Sequence, residues 1–299
     1  MKLLVTGAWR CSDSQLTELR ALGNEIVFMQ DERGKLPCAA DWVEGVICNG
    51  LFLHHDIKRF SSLCYIQLTS AGFDRVPMDY VKEHEIAIHN AKGVYSIPMA
   101  EFALCGVLDL YKKSRFFYDN QKESKWEKNR TVLELFGKNV LIVGCGNVGT
   151  ECAKRFYALG THVRGIDLYP RSDSNYESVV GLVNLTSELS LADIVVLTLP
   201  LTEETKHIIN KHAFAAMKKG AVLVNIARGA VVDTDAMIEA LDSKLLGAVL
   251  DVFEEEPLFE DSPLWQMPNV IATPHNSFVG EGNDARLFAC IKENLKEKA

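Results

Sequence analysis

The chain has 299 residues, beyond the roughly 250 at which one hydrophobic core usually stops growing, so two domains are expected. Hydrophobic residues make up 47% and charged residues 24%, a composition that fills cores and excludes a disordered chain. A formal charge of -8 without a long basic run excludes nucleic acid as a natural partner.

The apolar run at 3–6 is too short for a signal-peptide core, and no later run reaches the length of a membrane span, which predicts a soluble, cytoplasmic protein with no membrane partner. Further strands are expected at 25–29, 45–48 and 65–68, separated by helical stretches such as 14–22, where Leu16, Leu19 and Leu22 share a face. The eight cysteines form no CxxC pair, and several sit in apolar runs such as 45–48. Buried thiols are therefore expected in place of disulfides or a metal site.

Pro98 opens a long helical pattern through residue 111, because proline suits a first helical turn. The polar stretch 119–130, with Trp126 inside it, reads as a connector or a dimer arm. Strands then recur at 140–143, 162–166, 193–199, 221–226, 246–251 and 270–272, with a possible seventh at 181–185. Apolar runs alternating with helical segments specify an α/β architecture, and this second series makes a doubly wound parallel sheet. A final helix at about 280–296 is too short to form a domain and is expected to pack back on the first one.

Gly144-Cys145-Gly146-Asn147-Val148-Gly149 follows the strand at 140–143 and opens a helix. Gly144 allows the tight turn, Gly146 lets the backbone approach a pyrophosphate, and Gly149 lets helix and strand pack closely. The next strand ends at Asp167, where a carboxylate accepts hydrogen bonds from ribose hydroxyls and repels a 2'-phosphate. This combination predicts NAD as the cofactor, with nearby Arg171 as the one feature that could assist a phosphate.

Three polar residues follow the carboxyl ends of later strands, where an open parallel sheet presents its crevice: Arg228, Glu256 and His275. Arginine there suits a bidentate hold on an acid substrate. From these segments, together with the glycine fingerprint and the turn Pro200-Leu201-Thr202-Glu203-Glu204-Thr205, the chain resembles the D-isomer-specific 2-hydroxyacid dehydrogenase family, in its glyoxylate/hydroxypyruvate reductase and phosphoglycerate dehydrogenase branch.

The resemblance implies a Rossmann-type cofactor domain at 98–271, inserted in a smaller flavodoxin-like α/β substrate domain at 1–97 and 272–299. It implies an NAD-dependent oxidoreductase that interconverts a small 2-keto acid and its D-2-hydroxy acid, using NADH in the reductive direction and no metal. His275 would be the general acid and base, Glu256 would favour its protonated imidazole, and Arg228 would bind the substrate carboxylate. Glu254 and Glu255 compete with Glu256 for that supporting place.

Ser70, Ala71, Gly72 and Tyr95 would bind substrate through the loop at 68–74. Pro200, Leu201, Thr205 and Ala227 would join Gly144, Gly146, Asn147, Val148, Gly149 and Asp167 around the cofactor. Asp251 would serve the cofactor amide or the local hydrogen-bond network, and Glu101 a helix cap. Arg75 would meet a substrate phosphate or face solvent. A homodimer through the cofactor domain is implied too. Cys145 and Phe278 depart from the usual family residues. The alternatives are an NAD-sensing corepressor-like binding protein and a formate or phosphite dehydrogenase.

Overall fold

The computed structural model describes residues 1–297 and divides the chain into two compact units. One comprises Met1–Tyr95 with the chain from Gly280 on; the other is Ser96–Val279. Residues 272–279, including His275, thus belong with the larger unit, so the division falls later than 271.

The smaller unit is built on a five-stranded parallel sheet in the order β2-β1-β3-β4-β5. Its strands are β1 (Lys2–Thr6), β2 (Glu25–Met29), β3 (Gly45–Cys48), β4 (Tyr65–Leu68) and β5 (Ala87–His89). Strands β3 and β4 are buried along their whole length, as strands covered on both faces must be. Alternation sends Leu4, Val46, Cys48, Ile66 and Leu68 into one core and Leu3, Val5, Ile47 and Tyr65 into the other.

The helix Asn283–Glu297 closes the second core with Leu287, Ile291 and Leu295, a stripe spaced by four residues. Arg286 Nε donates to the Val94 carbonyl at 2.7 Å, and Asn294 donates to the buried Gln67 side chain at 2.7 Å. Strand β5 has no counterpart among the expected strands. Its three residues are only half-buried and form no long apolar run.

The larger unit carries a seven-stranded parallel sheet, ordered β12-β11-β10-β9-β6-β7-β8. The strands are β6 (Asn139–Val143), β7 (His162–Ile166), β8 (Ser178–Val180), β9 (Ile194–Leu197), β10 (Val222–Asn225), β11 (Gly247–Leu250) and β12 (Val270–Ala272). The chain winds outward from β6 through β7 and β8, then crosses to β9 and winds the other way. This leaves a topological switch between β6 and β9.

Helices cover both faces. Ser96–Lys112, with Pro98 in its first turn, lies so close to β11 that a Cβ at Gly106 would sit 2.6 Å from Val249. Lys113 at φ 56 ends it, and a second helix runs over Ser114–Lys122 before the irregular stretch containing Trp126.

The seventh strand is displaced from its expected place at 181–185. That stretch forms a tight turn at Leu182–Asn184 and a short helix at Leu185–Leu189. Leu185 and Leu189 turn into the core while Val183 is 92% exposed, a helical and not an alternating pattern. The ladder instead takes Ser178–Val180, paired with Arg164–Ile166.

Candidate active site

At the end of β6, Gly144 adopts φ +101 and lies so close to Leu199 that a Cβ would meet its backbone nitrogen at 2.6 Å. Gly149 leaves equally little room, since a Cβ there would fall 2.0 Å from the Gly144 carbonyl. Gly146 is the opposite case, with no heavy atom within 4 Å of the position of its missing Cβ. Two glycines therefore let the chain pack on itself, and the third keeps open a cradle beside the amino end of the helix Asn147–Ala158. That end has no side-chain cap, so the first-turn amides, including those of Asn147, Val148 and Gly149, face the position suited to an anion. Thr198 secures the turn by donating to the Gly144 carbonyl at 2.6 Å.

Asp167 stands one residue beyond β7. Its carboxylate accepts from the Cys145 amide at 2.7 Å and the Tyr169 amide at 2.9 Å, which holds it against the glycine turn. Arg171 donates to the Cys145 carbonyl at 3.3 Å, so both charged groups meet the backbone of one fingerprint residue. A pocket of about 210 Å³ opens alongside, lined by Arg171, Ser172, Asp173 and Tyr176 among others. Burial pushes the Cys145 thiol up to about 12, away from the thiolate form that reactive chemistry uses. The open cradle, uncapped helix and strand-end carboxylate fit a dinucleotide. Among the described residues, no cluster of three or more His, Cys, Asp or Glu side chains could hold a metal ion.

The turn after β9 carries Pro200, which is exposed, and Leu201, which is 43% exposed. Thr205 is buried; its hydroxyl donates to the Pro200 carbonyl and accepts from the Thr202 amide, both at 2.7 Å. It shapes the turn from inside.

At the end of β10, the buried Asn225 accepts from the Ala227 amide at 3.1 Å and donates to the Arg228 carbonyl at 3.1 Å, which folds the chain sharply at Arg228. Arg228 Nη1 donates to the Ala227 carbonyl at 2.8 Å.

Asp251, one residue past β11, is completely buried. Its carboxylate accepts from the Thr273 hydroxyl at 2.6 Å and from the Asn276 and Ser277 amides at 2.7 and 2.9 Å; its carbonyl accepts from the His275 amide at 2.8 Å. Between the two uses the sequence allowed, the structure shows the local network. His275 is exposed, adopts φ 52, and its Nδ1 lies 2.8 Å from Glu256 Oε2. The other oxygen of Glu256 accepts from the Phe253 amide at 3.1 Å. Phe278 stands edge-on to the imidazole at 6.2 Å.

Geometry separates two of the three adjacent glutamates. Glu256 meets His275, whereas Glu254 accepts from Thr234 through its amide at 2.9 Å and hydroxyl at 2.6 Å, and from His207 Nε2 at 2.8 Å. Burial opposes ionisation of Glu254, but the Thr234 and His207 contacts outweigh it and hold its carboxyl below the usual range. Glu101 pairs with Arg155 at 3.0 Å between two helices, which makes it structural. Asn225, Thr273 and the His207–Glu254 pair escaped the sequence; a polar residue ending an apolar strand was the signal for Asn225.

In the smaller unit, the loop after β4 contains Ser70, Ala71 and Gly72. Ser70 donates to the Gly72 carbonyl at 3.1 Å, Asn90 donates to the Ala71 carbonyl at 2.5 Å, and Tyr95 donates to the Thr69 carbonyl. These bonds use carbonyls and fix the loop's shape.

The model of the D-isomer-specific 2-hydroxyacid dehydrogenase NAD-binding domain matches residues 104–277, well over half of the chain. The chain belongs to that family. Chloroplastic D-3-phosphoglycerate dehydrogenase 2 of Arabidopsis thaliana is 38% identical over 206 residues, covering 68% of this chain and 33% of the relative. The (S)-sulfolactate dehydrogenase of Chromohalobacter salexigens is 33% identical over 243 residues, covering 80% and 79%. A crystal structure of a family member from Xanthobacter autotrophicus Py2, in complex with NADPH and MES, superposes with a TM-score of 0.81 at 27% identity, over 99% of this chain and 94% of that one. The chain spans about a third to a half of the length of the first two curated relatives, 33% and 46%.

Proposed function

We propose that this family member is an NAD-dependent oxidoreductase interconverting a small 2-keto acid and its D-2-hydroxy acid. The observation that carries the proposal is the 2.8 Å contact between His275 Nδ1 and Glu256 at the carboxyl edge of the larger sheet. With Nδ1 engaged by Glu256, the ring is held in orientation and Nε2 is left to exchange a proton with a substrate oxygen. In reduction, His275 Nε2 donates its proton to the keto oxygen; in oxidation it takes the hydroxyl proton.

Arg228 binds the substrate carboxylate and polarises the carbonyl, since its planar fork matches a carboxylate. Within the smaller unit, the amides of Ala71 and Gly72 are donors suited to a carboxylate, with Ser70 and Tyr95 holding their loop in shape. Gly144, Gly146 and the amides of Asn147, Val148 and Gly149 would hold a pyrophosphate, Asp167 a ribose, and Pro200, Leu201 and Ala227 the nicotinamide side; Thr205 and Asp251 support these segments from within. Bound there, NAD supplies the hydride-carrying carbon.

His275→Ala is expected to lower turnover by roughly 10² to 10⁴, the scale of a positioned acid-base group, while NADH binding stays near the parent value. Turnover within about threefold of the parent would contradict the assignment.

NAD is preferred over NADP in this proposal, because Asp167 places a negative charge against the fingerprint peptide. Specificity constants measured with both reduced cofactors should favour NADH clearly; equal or better use of NADPH would overturn the preference.

Exposed Phe117, Tyr118, Trp126 and Phe136 support a homodimer through the larger unit, with Trp126 97% exposed. Sedimentation should show a dimer that Trp126→Glu weakens, and a monomer at every concentration would exclude it. Among the described residues no helix is long and apolar enough to cross a membrane, and buried Cys48, Cys145 and Cys152 suit a reducing compartment. Both support cytoplasmic residence; recovery of the protein in a secreted or membrane fraction would contradict it.

A further inference from the structure

The mechanism leaves one well-formed constellation unused: the second histidine–glutamate pair, His207 with Glu254. It lies two residues along the chain from Glu256, and its contacts reach three segments of the larger unit. Glu254 Oε1 takes both the amide and the hydroxyl of Thr234, the first residue of the helix Thr234–Ser243, and Oε2 takes His207. His207 is tied in turn to the turn that follows Arg228, its amide donating to the Ala230 carbonyl at 2.8 Å. Two residues on, Ile209 continues that join through a parallel bridge to Val232.

The backbone just before Glu254 is equally confined. A Cβ at Gly229 would lie 1.8 Å from the Phe253 carbonyl carbon and 2.3 Å from the Glu254 nitrogen, so the residue after Arg228 sits directly on the 253–254 peptide. The Phe253 amide donates to Glu256, whose other oxygen meets His275. A displacement of the 253–254 peptide would therefore be felt on one side by the turn carrying Arg228 and on the other by the carboxylate that orients His275.

His207 also adopts φ 49, the left-handed region that favours glycine. A glycine would relieve that conformation and abolish the imidazole contact. A side chain held there against its own backbone preference points to use of the imidazole.

We propose that Glu254, gripped by His207 and Thr234, is a positioning residue that fixes the 253–256 segment against the Arg228–Gly229 turn and so sets Glu256 and His275 for proton transfer. Glu254 touches neither substrate nor cofactor in this arrangement; it acts through the peptide it anchors. Small errors of placement at an acid-base group cost about 10²-fold in rate, so one misheld carboxylate matters even when the fold is intact.

The inference rests on the proposed keto-acid reductase activity, and the test keeps the two apart. The parent, His275→Ala, Glu254→Gln, His207→Ala and His207→Gln are each assayed for NADH binding, thermal melting and reduction of a panel of glyoxylate, hydroxypyruvate and pyruvate. Amide hydrogen exchange of peptides covering 253–257 is measured in the same samples without substrate. Glu254→Gln and His207→Ala are expected to lose about tenfold or more in kcat, to keep NADH affinity within about twofold, and to exchange faster at 253–257 than the parent. His207→Gln, which keeps a side-chain donor, is expected to recover most of the lost turnover and protection.

Unchanged exchange at 253–257 overturns the positioning role, whether or not any keto acid is turned over. So does faster exchange throughout the larger unit with a matching loss of NADH affinity, which would mark a merely structural pair. A parent inactive on the whole panel refutes the activity instead, and the exchange measurement still decides the clamp.

Discussion

The fully buried Asp251 carboxylate is the interaction on which the candidate catalytic edge depends. A charge without exposure costs several kcal/mol unless its lone pairs are occupied, and here three donors from a single loop occupy them. The same residue's carbonyl takes the His275 amide, so the loop from Thr273 to Ser277 is wrapped around one residue at the end of β11. His275 is held at φ 52 within that wrap, and its imidazole meets Glu256. A flexible loop could present a histidine; it could not hold one at a fixed angle to a carboxylate carried on a different segment.

Everything else in the larger unit delivers groups to the same edge. Parallel strands end together, so the fingerprint after β6, Asp167 after β7, Pro200 after β9, Arg228 after β10 and Asp251 after β11 share one rim by topology alone. Four of these strand ends have a fastening of their own. Thr198 closes the glycine turn, Thr205 shapes the Pro200 turn, Asn225 folds the chain at Arg228, and Asp251 wraps the histidine loop through the Asn276 and Ser277 amides. These fastenings are side chain to backbone, which is why they fix direction as well as position.

Much of this was legible in the residue order. The fingerprint carries its structure locally, because each glycine answers a steric demand set by near neighbours in the chain, and the buried strands announce themselves as short apolar runs. The family resemblance then supplied Arg228, Glu256 and His275 as roles. Illegible features were those decided through space. Strand β8 fell at 178–180 because pairing with β7 selected it over a more apolar run that coils into a helix. The three consecutive glutamates look alike in sequence, and only the positions of His207, Thr234 and His275 tell Glu254 from Glu256. Asp251 was equally open between cofactor and loop until its three donors were seen, and Thr205 gave no sign that its hydroxyl turns inward.

The most direct measurement is a comparison of Asp251→Asn with the parent for kcat on a 2-keto acid and for NADH affinity. An asparagine side chain keeps the shape but loses one acceptor, leaving a loop amide without its partner. If the buried carboxylate sets the acid-base loop, kcat falls by about 10²-fold while NADH affinity stays close to the parent. Full turnover with weakened NADH binding would contradict it, and would make Asp251 a cofactor contact with the histidine loop held by other means.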